Sequence, residues 1–151
     1  MLWVPSASLR LPVSSNVMRL QSPPNSIELQ ITEVAPPTLP SAGDVRLEVK
    51  ASIGAFAGVG SCWIEAQELK SFSVAAHQLY SSLQGTAQLK SMSPGEFSLL
   101  LSPAYSRGYV LVQVAIAKRY PVQGSMSGTF EVELPSLTHL AAWAENPSAD
   151  A

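Results

Sequence analysis

The sequence has little cysteine, little charge and no long apolar run. Cys62 is the only cysteine in 151 residues, so no disulfide can form within the chain, which fits a reducing compartment. No apolar run approaches the roughly 18 residues that cross a bilayer. The first 18 residues also lack the charged start and continuous apolar core of a signal peptide. We therefore expect a soluble, cytoplasmic protein that is not attached to a membrane.

Charged residues make up only 13% of the chain, about half of the roughly 25% that is usual in soluble domains. The net charge is −2 and the basic residues are scattered, with only Lys118 and Arg119 adjacent. Nucleic-acid binding normally needs a clustered basic surface, so we expect no nucleic-acid partner. A surface this poor in charge predicts that part of it is covered, either by a second copy of the chain or by a protein partner.

The sequence divides into a domain and two short flanking segments. Residues 26–146 have regular apolar periodicity and enough apolar residues, within a chain that is 46% apolar, to form one packed domain. Residues 147–151 form a short tail. Residues 1–25 mix Ser, Pro and Asn with isolated apolar residues, which predicts an irregular arm. Two interpretations of the arm stay open: translation starts at Met18, or the arm packs across the domain through its first apolar residues (Leu2, Trp3 and Val4).

Alternation of apolar and polar residues predicts strands. The clearest case is residues 45–52, in which Val45, Leu47 and Val49 alternate with polar residues. Two glycine-containing stretches are predicted to be irregular: residues 53–60 as a hairpin turn with a bulge, and residues 121–128 as a loop. Together the predicted strands cover 27–32, 45–52, 61–65, 86–92, 96–102, 109–117 and 129–134.

Helical spacing of apolar residues predicts a main amphipathic helix over residues 66–84, which Gly85 ends. Its apolar stripe consists of Leu69, Phe72, Ala76, Leu79, Tyr80 and Leu83. A short helix follows the last strand, with Ser136 as its N-cap and Asn146 near its end.

The predicted element order, β-β-β-α-β-β-β-β-α, has hairpin-length connections on both sides of the main helix. Such connections favour antiparallel pairing. We therefore expect an α+β fold with a mainly antiparallel sheet of about six to seven strands and both helices on one face. No internal repeat is visible at the periods that solenoid proteins use.

Known arrangements of catalytic or metal-binding residues are missing from the sequence. His77 and His139 lie on separate predicted helices without a Cys or Asp at ligand spacing. Cys62 lies beside Trp63 in a predicted strand, which is typical of a small buried thiol. No G-x-S-x-G motif occurs, and the glycines between residues 54 and 60 lack the G-K-[ST] ending of a phosphate loop. We expect no catalytic activity, no cofactor and no metal site.

Glutamates on the polar faces of predicted strands are the best candidates for contact with a partner. Such side chains point to solvent, where they can complement a basic surface. The candidates for partner contact are Glu28, Glu48, Glu131 and Glu133.

A run of glycines, aromatic residues and helix positions in the middle of the chain resembles a known family. The residues that carry the resemblance are Gly54, Phe56, Gly58, Trp63, Glu68, Leu69, Phe72, Leu79, Leu83, Gly85, Ala87 and Leu89. In this order they resemble the small bacterial proteins typified by the immunity protein of a wall-associated toxin (the WapI type). The resemblance covers about residues 27–140, although residues 103–128 do not align. It implies an intracellular protein that binds and neutralises a toxin domain, with no cofactor and no catalysis.

Three functional hypotheses follow. The first is a non-catalytic protein-binding domain, with a toxin domain as its most specific partner. The second is a small enzyme or ligand carrier with a pocket between the sheet and the main helix, near Trp63, Tyr80 and His77. The third is a self-associating domain whose missing surface charge is explained by a homodimer interface.

Overall fold

The structure is a computed structural model that describes residues 17–119, 121 and 123–149. These residues form eight strands and two helices. In chain order they are β1 (Val17–Ser22), β2 (Asn25–Val34), β3 (Val45–Ile53), β4 (Phe56–Ile64), α1 (Ala66–Ser82), β5 (Ala87–Lys90), β6 (Phe97–Pro103), β7 (Tyr109–Lys118), β8 (Gly124–Glu133) and α2 (Ser136–Glu145).

The strands form two antiparallel sheets of four, β1-β2-β3-β4 and β5-β6-β7-β8, and each strand pairs with its neighbour in sequence. The α+β class and the antiparallel pairing are therefore confirmed, whereas the prediction of one sheet with six to seven strands is wrong. The connection through α1 carries the chain from the first sheet to the second. Alternation within each strand shows which face is buried, but it does not show which strands share a sheet.

Strand β1 lies in a region that we assigned to an irregular arm. It pairs with β2 in register, with Met18 opposite Leu29 and Leu20 opposite Ile27. Met18 and Leu20 are both buried. Two apolar residues followed by Pro23 and Pro24 are too short a pattern to identify a strand from sequence. The rest of the predicted arm, residues 1–16, lies outside the described residues.

Both stretches that we predicted to be irregular because of their glycines belong largely to strands. The turn between β3 and β4 is only Gly54 and Ala55, and β4 continues through Gly58 and Gly60 without a register shift. In the second half of the chain, β8 begins at Gly124 and likewise contains a glycine, Gly128.

These strand glycines lie where the two sheets meet. A Cβ atom on Gly60 would lie 2.6 Å from Cγ2 of Ile116 in β7, and one on Gly128 would lie 3.0 Å from Cδ1 of Ile53 in β3. Any side chain at Gly60 would therefore overlap the opposite sheet. Glycine in a strand is typical of such a close approach.

The main helix is confirmed: α1 runs from Ala66 to Ser82, and Leu69, Phe72, Ala76 and Leu79 of the predicted stripe are buried. The other two members of the stripe are exposed, because Leu83 is the C-cap with a φ of 59° and Tyr80 lies at the solvent side. The second helix begins at Ser136 itself, and its N-cap is Pro135.

The two halves of the described chain repeat the same unit, four strands followed by one helix. Adding 68 to a residue number in β4 or α1 gives the residue with the matching burial in β8 or α2. Such pairs include Gly60 and Gly128, Cys62 and Phe130, Leu69 and Leu137, Phe72 and Leu140, and Ala76 and Ala144. The repeat is longer than the periods of solenoid proteins, and it lies in the burial pattern more than in residue identity.

Equivalent positions of the two halves contact each other, which indicates an internal pseudo-twofold axis. The buried Ser73 Oγ donates a hydrogen bond of 2.9 Å to the carbonyl of Ala141, its equivalent in α2. A Cβ atom on Gly58 would lie 2.7 Å from Cγ of its own equivalent, Met126. Both sheets and both helices contribute to one buried apolar core.

Replacement of Gly60 by Ala tests the contact between the sheets. The new methyl group would overlap Ile116, a buried β-branched side chain that cannot turn away. We expect Gly60→Ala to lower the free energy of unfolding by about 1–3 kcal/mol. Gly124→Ala is the control, because nothing lies within 4 Å of its Cβ position, and we expect a change below about 0.5 kcal/mol. Urea unfolding measures both values, and equal stability of the two variants would contradict the contact.

Candidate functional site

The four glutamates that we predicted as contact residues do not form one surface. Glu28 and Glu48 lie on the outward face of the first sheet, while Glu131 and Glu133 lie on β8 in the second sheet. Glu28 is already engaged, because its Oε2 lies 2.8 Å from Nη2 of Arg19. The structure therefore divides the candidates into two pairs on different sheets.

The residues of the ligand-pocket hypothesis are also separated. Trp63 alternates with the buried residues of β4 and so lies on the outward face of its sheet, whereas Tyr80 lies at the solvent side of α1. A surface hollow beside His77 is lined only by the end of α1 and the residues up to Gly85. His77 Nε2 instead lies 3.8 Å from Oε1 of Glu145 on α2.

Neither a metal-binding cluster nor a membrane-spanning helix occurs among the described residues. No group of three or more His, Cys, Asp or Glu side chains is placed to hold a metal ion. No described helix has the length and apolar character needed to cross a bilayer.

Cys62 is a buried thiol in β4, as the sequence predicts. Burial raises the pKa of this thiol to about 12, and the nearby negative charge of Glu96 adds to the increase. A nucleophilic cysteine needs the opposite shift, because the thiolate is the reactive form. The surroundings of Cys62 therefore favour a structural role.

The edges of the two sheets differ in how well they are protected against further pairing. Folded proteins protect an edge strand with charged side chains, prolines or short length. Strand β1 contains Arg19 and ends at two prolines, β5 has only four residues, and β8 contains Glu131 and Glu133. Strand β4 has nine residues, FAGVGSCWI, with no charge and no proline. It is the least protected of the four edges.

The register shows which main-chain groups of β4 point away from its sheet. The two-residue turn after Ile53 makes Ile53 and Phe56 a hydrogen-bonded pair. Every second residue from Phe56 onward therefore bonds to β3, and the residues between direct their N–H and C=O groups to the free edge. These edge-facing residues are Ala57, Val59, Ser61 and Trp63.

One hydrogen bond confirms this orientation and shows where the edge is covered. The N–H of Met92 donates to the carbonyl of Trp63 at 2.8 Å, so the segment after β5 covers this end of β4. Among the described residues, no backbone group pairs with the edge-facing N–H and C=O groups of Ala57, Val59 or Ser61.

Apolar side chains are exposed along the same part of β4. The exposed fraction is 69% for Phe56 and 66% for Val59, and Ala57 between them is also exposed. An exposed apolar group beside unpaired backbone is typical of an interaction site rather than of a solvated strand.

Two adjoining hollows follow this edge, with volumes of about 260 Å³ and 380 Å³. The first is lined by Ala57, Gly58 and Val59 opposite the start of β8. The second is lined by Gly60 and Ser61 opposite the end of β7 and the turn before β6. Lys118 lines both, so together they form a groove beside β4.

This edge is not predicted from the sequence, because the glycines of residues 53–60 predict a hairpin turn. A signal was present, since Phe56, Ala57 and Val59 lie in a run without any charged residue from Ala51 to Ile64. Because only 13% of the residues in the chain are charged, a run without charged residues does not stand out from the rest of the sequence.

Comparison with known proteins adds no family to this description. No protein-family model matches the sequence, and no curated protein matches it.

The pKa of Cys62 leads to a test of thiol reactivity. At pH 8 a thiol with a pKa near 12 has about 1,000-fold less thiolate than one at the ordinary value of 9.0. We expect a disulfide reagent to modify the folded protein at least 100-fold more slowly than the protein unfolded in urea. A Cys62→Ala, Ser127→Cys variant is the control, because its thiol is exposed on β8, and it should react rapidly in the folded state. Rapid modification of folded wild-type protein would contradict the structural role.

Proposed function

We propose that this chain is a non-catalytic protein-binding domain and that its binding surface is the free edge of β4. One observation carries the proposal: between Phe56 and Ser61, main-chain groups without a partner in the described part of the chain coincide with exposed apolar side chains and an adjoining groove. An extended protein segment that pairs here becomes a fifth strand of the first sheet. In this mode of recognition the main chain supplies affinity and alternate side chains supply specificity.

The chemistry of the edge supports a protein segment as the occupant. Ala57, Val59 and Ser61 present N–H donors and C=O acceptors alternately at strand spacing, and only another backbone matches that spacing. Burial of Val59 on pairing would add the apolar contribution of a valine side chain, about 1.5–3 kcal/mol when complete. Recognition therefore needs neither a cofactor nor a charged ligand.

The four glutamates predicted to contact a partner differ in their position relative to the β4 edge. Glu48 lies directly opposite Ser61 in the β3–β4 register, one strand away from the edge, and could reach an added strand. Glu131 and Glu133 lie on β8 of the other sheet. The more specific partner, a toxin domain, stays a prediction from the sequence resemblance.

Proline at Val59 tests the binding surface. The Val59 N–H points to the free edge, so its loss removes no bond to β3 and edge strands tolerate proline at such positions. We expect tagged Val59→Pro protein to lose the partners that tagged wild-type protein retains from a lysate of the native cells. Mass spectrometry identifies and quantifies the retained proteins.

Ser127→Pro is the matched control, because Ser127 is the equivalent of Val59 on the edge of β8. It should retain the same partners as wild-type protein, and circular dichroism should show that both variants are folded. Retention of every partner by folded Val59→Pro protein would refute the β4 edge as the binding surface.

A further inference from the structure

The uncovered part of β4 is complementary to itself. Its edge-facing residues, Ala57, Val59 and Ser61, are symmetric about Val59. If a second β4 pairs antiparallel with this one about a twofold axis at Val59, then Val59 faces Val59 and Ala57 faces Ser61. Each of these is a hydrogen-bonded pair, which gives roughly six hydrogen bonds in all. Any other register leaves one of the three residues unpaired.

From this pattern we infer that the added strand is β4 of a second copy of the chain. The two sheets then join into one sheet of eight strands across a homodimer. The inference rests on the proposed binding surface and names its occupant. A twofold contact uses the same patch on both copies, so the patch must not repel itself. Strand β4 has no charged residue, so no like charges meet across the new pair of strands.

The length of the uncovered edge agrees with this register. Cys62 would face Phe56 of the second copy, and that copy's hairpin turn follows immediately. On the first copy the next residue is Trp63, whose carbonyl already accepts the Met92 N–H. The incoming strand therefore ends where the covered part of β4 begins.

Phe56 provides a side chain that fits the groove of the other copy. It points to the same side of the sheet as Gly58 and Gly60, and it would come to lie opposite Cys62, beside the hollow of about 380 Å³. A volume of about 150 Å³ is enough to hold a benzene molecule, so this hollow has room for a phenyl ring, although its lining mixes polar residues with Gly60, Pro94 and Ala117. Phe56 is 69% exposed in the single chain, and this apolar side chain would become buried in the dimer.

Charged side chains also line this hollow. They are Glu96, Lys118 and Arg119, and no ion pair within 4 Å joins either cation to a carboxylate of the described residues. A cation within about 6 Å of a ring face is attracted to the ring. Phe56 and the hollow beside Gly60 and Ser61 thus lie on the same chain, and the register brings Phe56 of one copy beside the hollow of the other. A peptide from another protein need not carry an aromatic side chain at the position that faces this hollow.

A charge exchange at Val59 tests the dimer, because only a residue on the twofold axis meets itself. We expect sedimentation equilibrium to show a wild-type dimer, and Val59→Lys and Val59→Glu each to raise the dissociation constant at least about 100-fold through like-charge repulsion. An equimolar mixture of the two variants should dimerise again, because Lys faces Glu. Phe56→Ala should weaken the dimer by at least about 10-fold through loss of the buried ring.

Ser127→Lys and Ser127→Glu are the controls, and they should sediment as wild-type protein does. A wild-type monomer at 500 μM, about the highest practical concentration, would overturn the inference. So would a dimer that Val59→Lys leaves intact, or a Lys and Glu mixture that stays monomeric. If wild-type protein is monomeric but Val59→Pro still abolishes capture of another protein, the β4 surface stands and its occupant is a different protein.

Discussion

Three glycines set the distance between the two sheets. The side-chain positions of Gly58, Gly60 and Gly128 are occupied by Met126, Ile116 and Ile53 of the opposite sheet, at 2.6–3.0 Å from where a Cβ would lie. Packed sheets usually stand about 10 Å apart, and side chains at these points would force that separation. On the other side of the core, α1 packs against β5, α2 packs against β1, and the two helices pack on each other. Two of these glycines, Gly58 and Gly60, also line the groove at the edge of β4, so the packing of the sheets and the candidate site share residues.

Much of this fold is visible in the sequence because it depends on local periodicity. Val45, Leu47 and Val49 alternate as a half-buried strand must, and Leu69, Phe72, Ala76 and Leu79 follow the helical period. The glycine contacts are different, because the residue that explains Gly60 is Ile116, far away in sequence. Without that partner, Gly58 and Gly60 resemble turn residues, and the strand was predicted to begin several residues too late. The exposed part of the β4 edge was therefore not predicted.

Local periodicity also does not show that the unit of four strands and one helix occurs twice. The halves share burial but little identity: Cys62 corresponds to Phe130, and Phe72 to Leu140. A core position restricts volume and polarity more than residue type, so two copies of one unit can diverge while the packing survives. The contact between Ser73 and its equivalent, Ala141, shows how the halves fit: each helix meets the other at the same point, as the subunits of a symmetric dimer do.

Because the unit occurs twice, the equivalent residues of β8 show whether packing requires apolar residues at the edge of β4. Gly124 and Ser127 on β8 stand where β4 has Phe56 and Val59, and all four are exposed. Packing therefore does not require apolar residues at these positions, since the second copy of the unit places a glycine and a serine there. The two halves also differ at the far end of the edge. Adding 69 to a residue number in β1 gives the equivalent residue in β5, so Pro23 is the equivalent of Met92. Met92 donates its N–H to the carbonyl of Trp63. Pro23 has no N–H to donate. Nothing among residues 17–119, 121 and 123–149 thus explains the exposed valine and phenylalanine of β4, and pairing of this edge with another strand supplies an explanation.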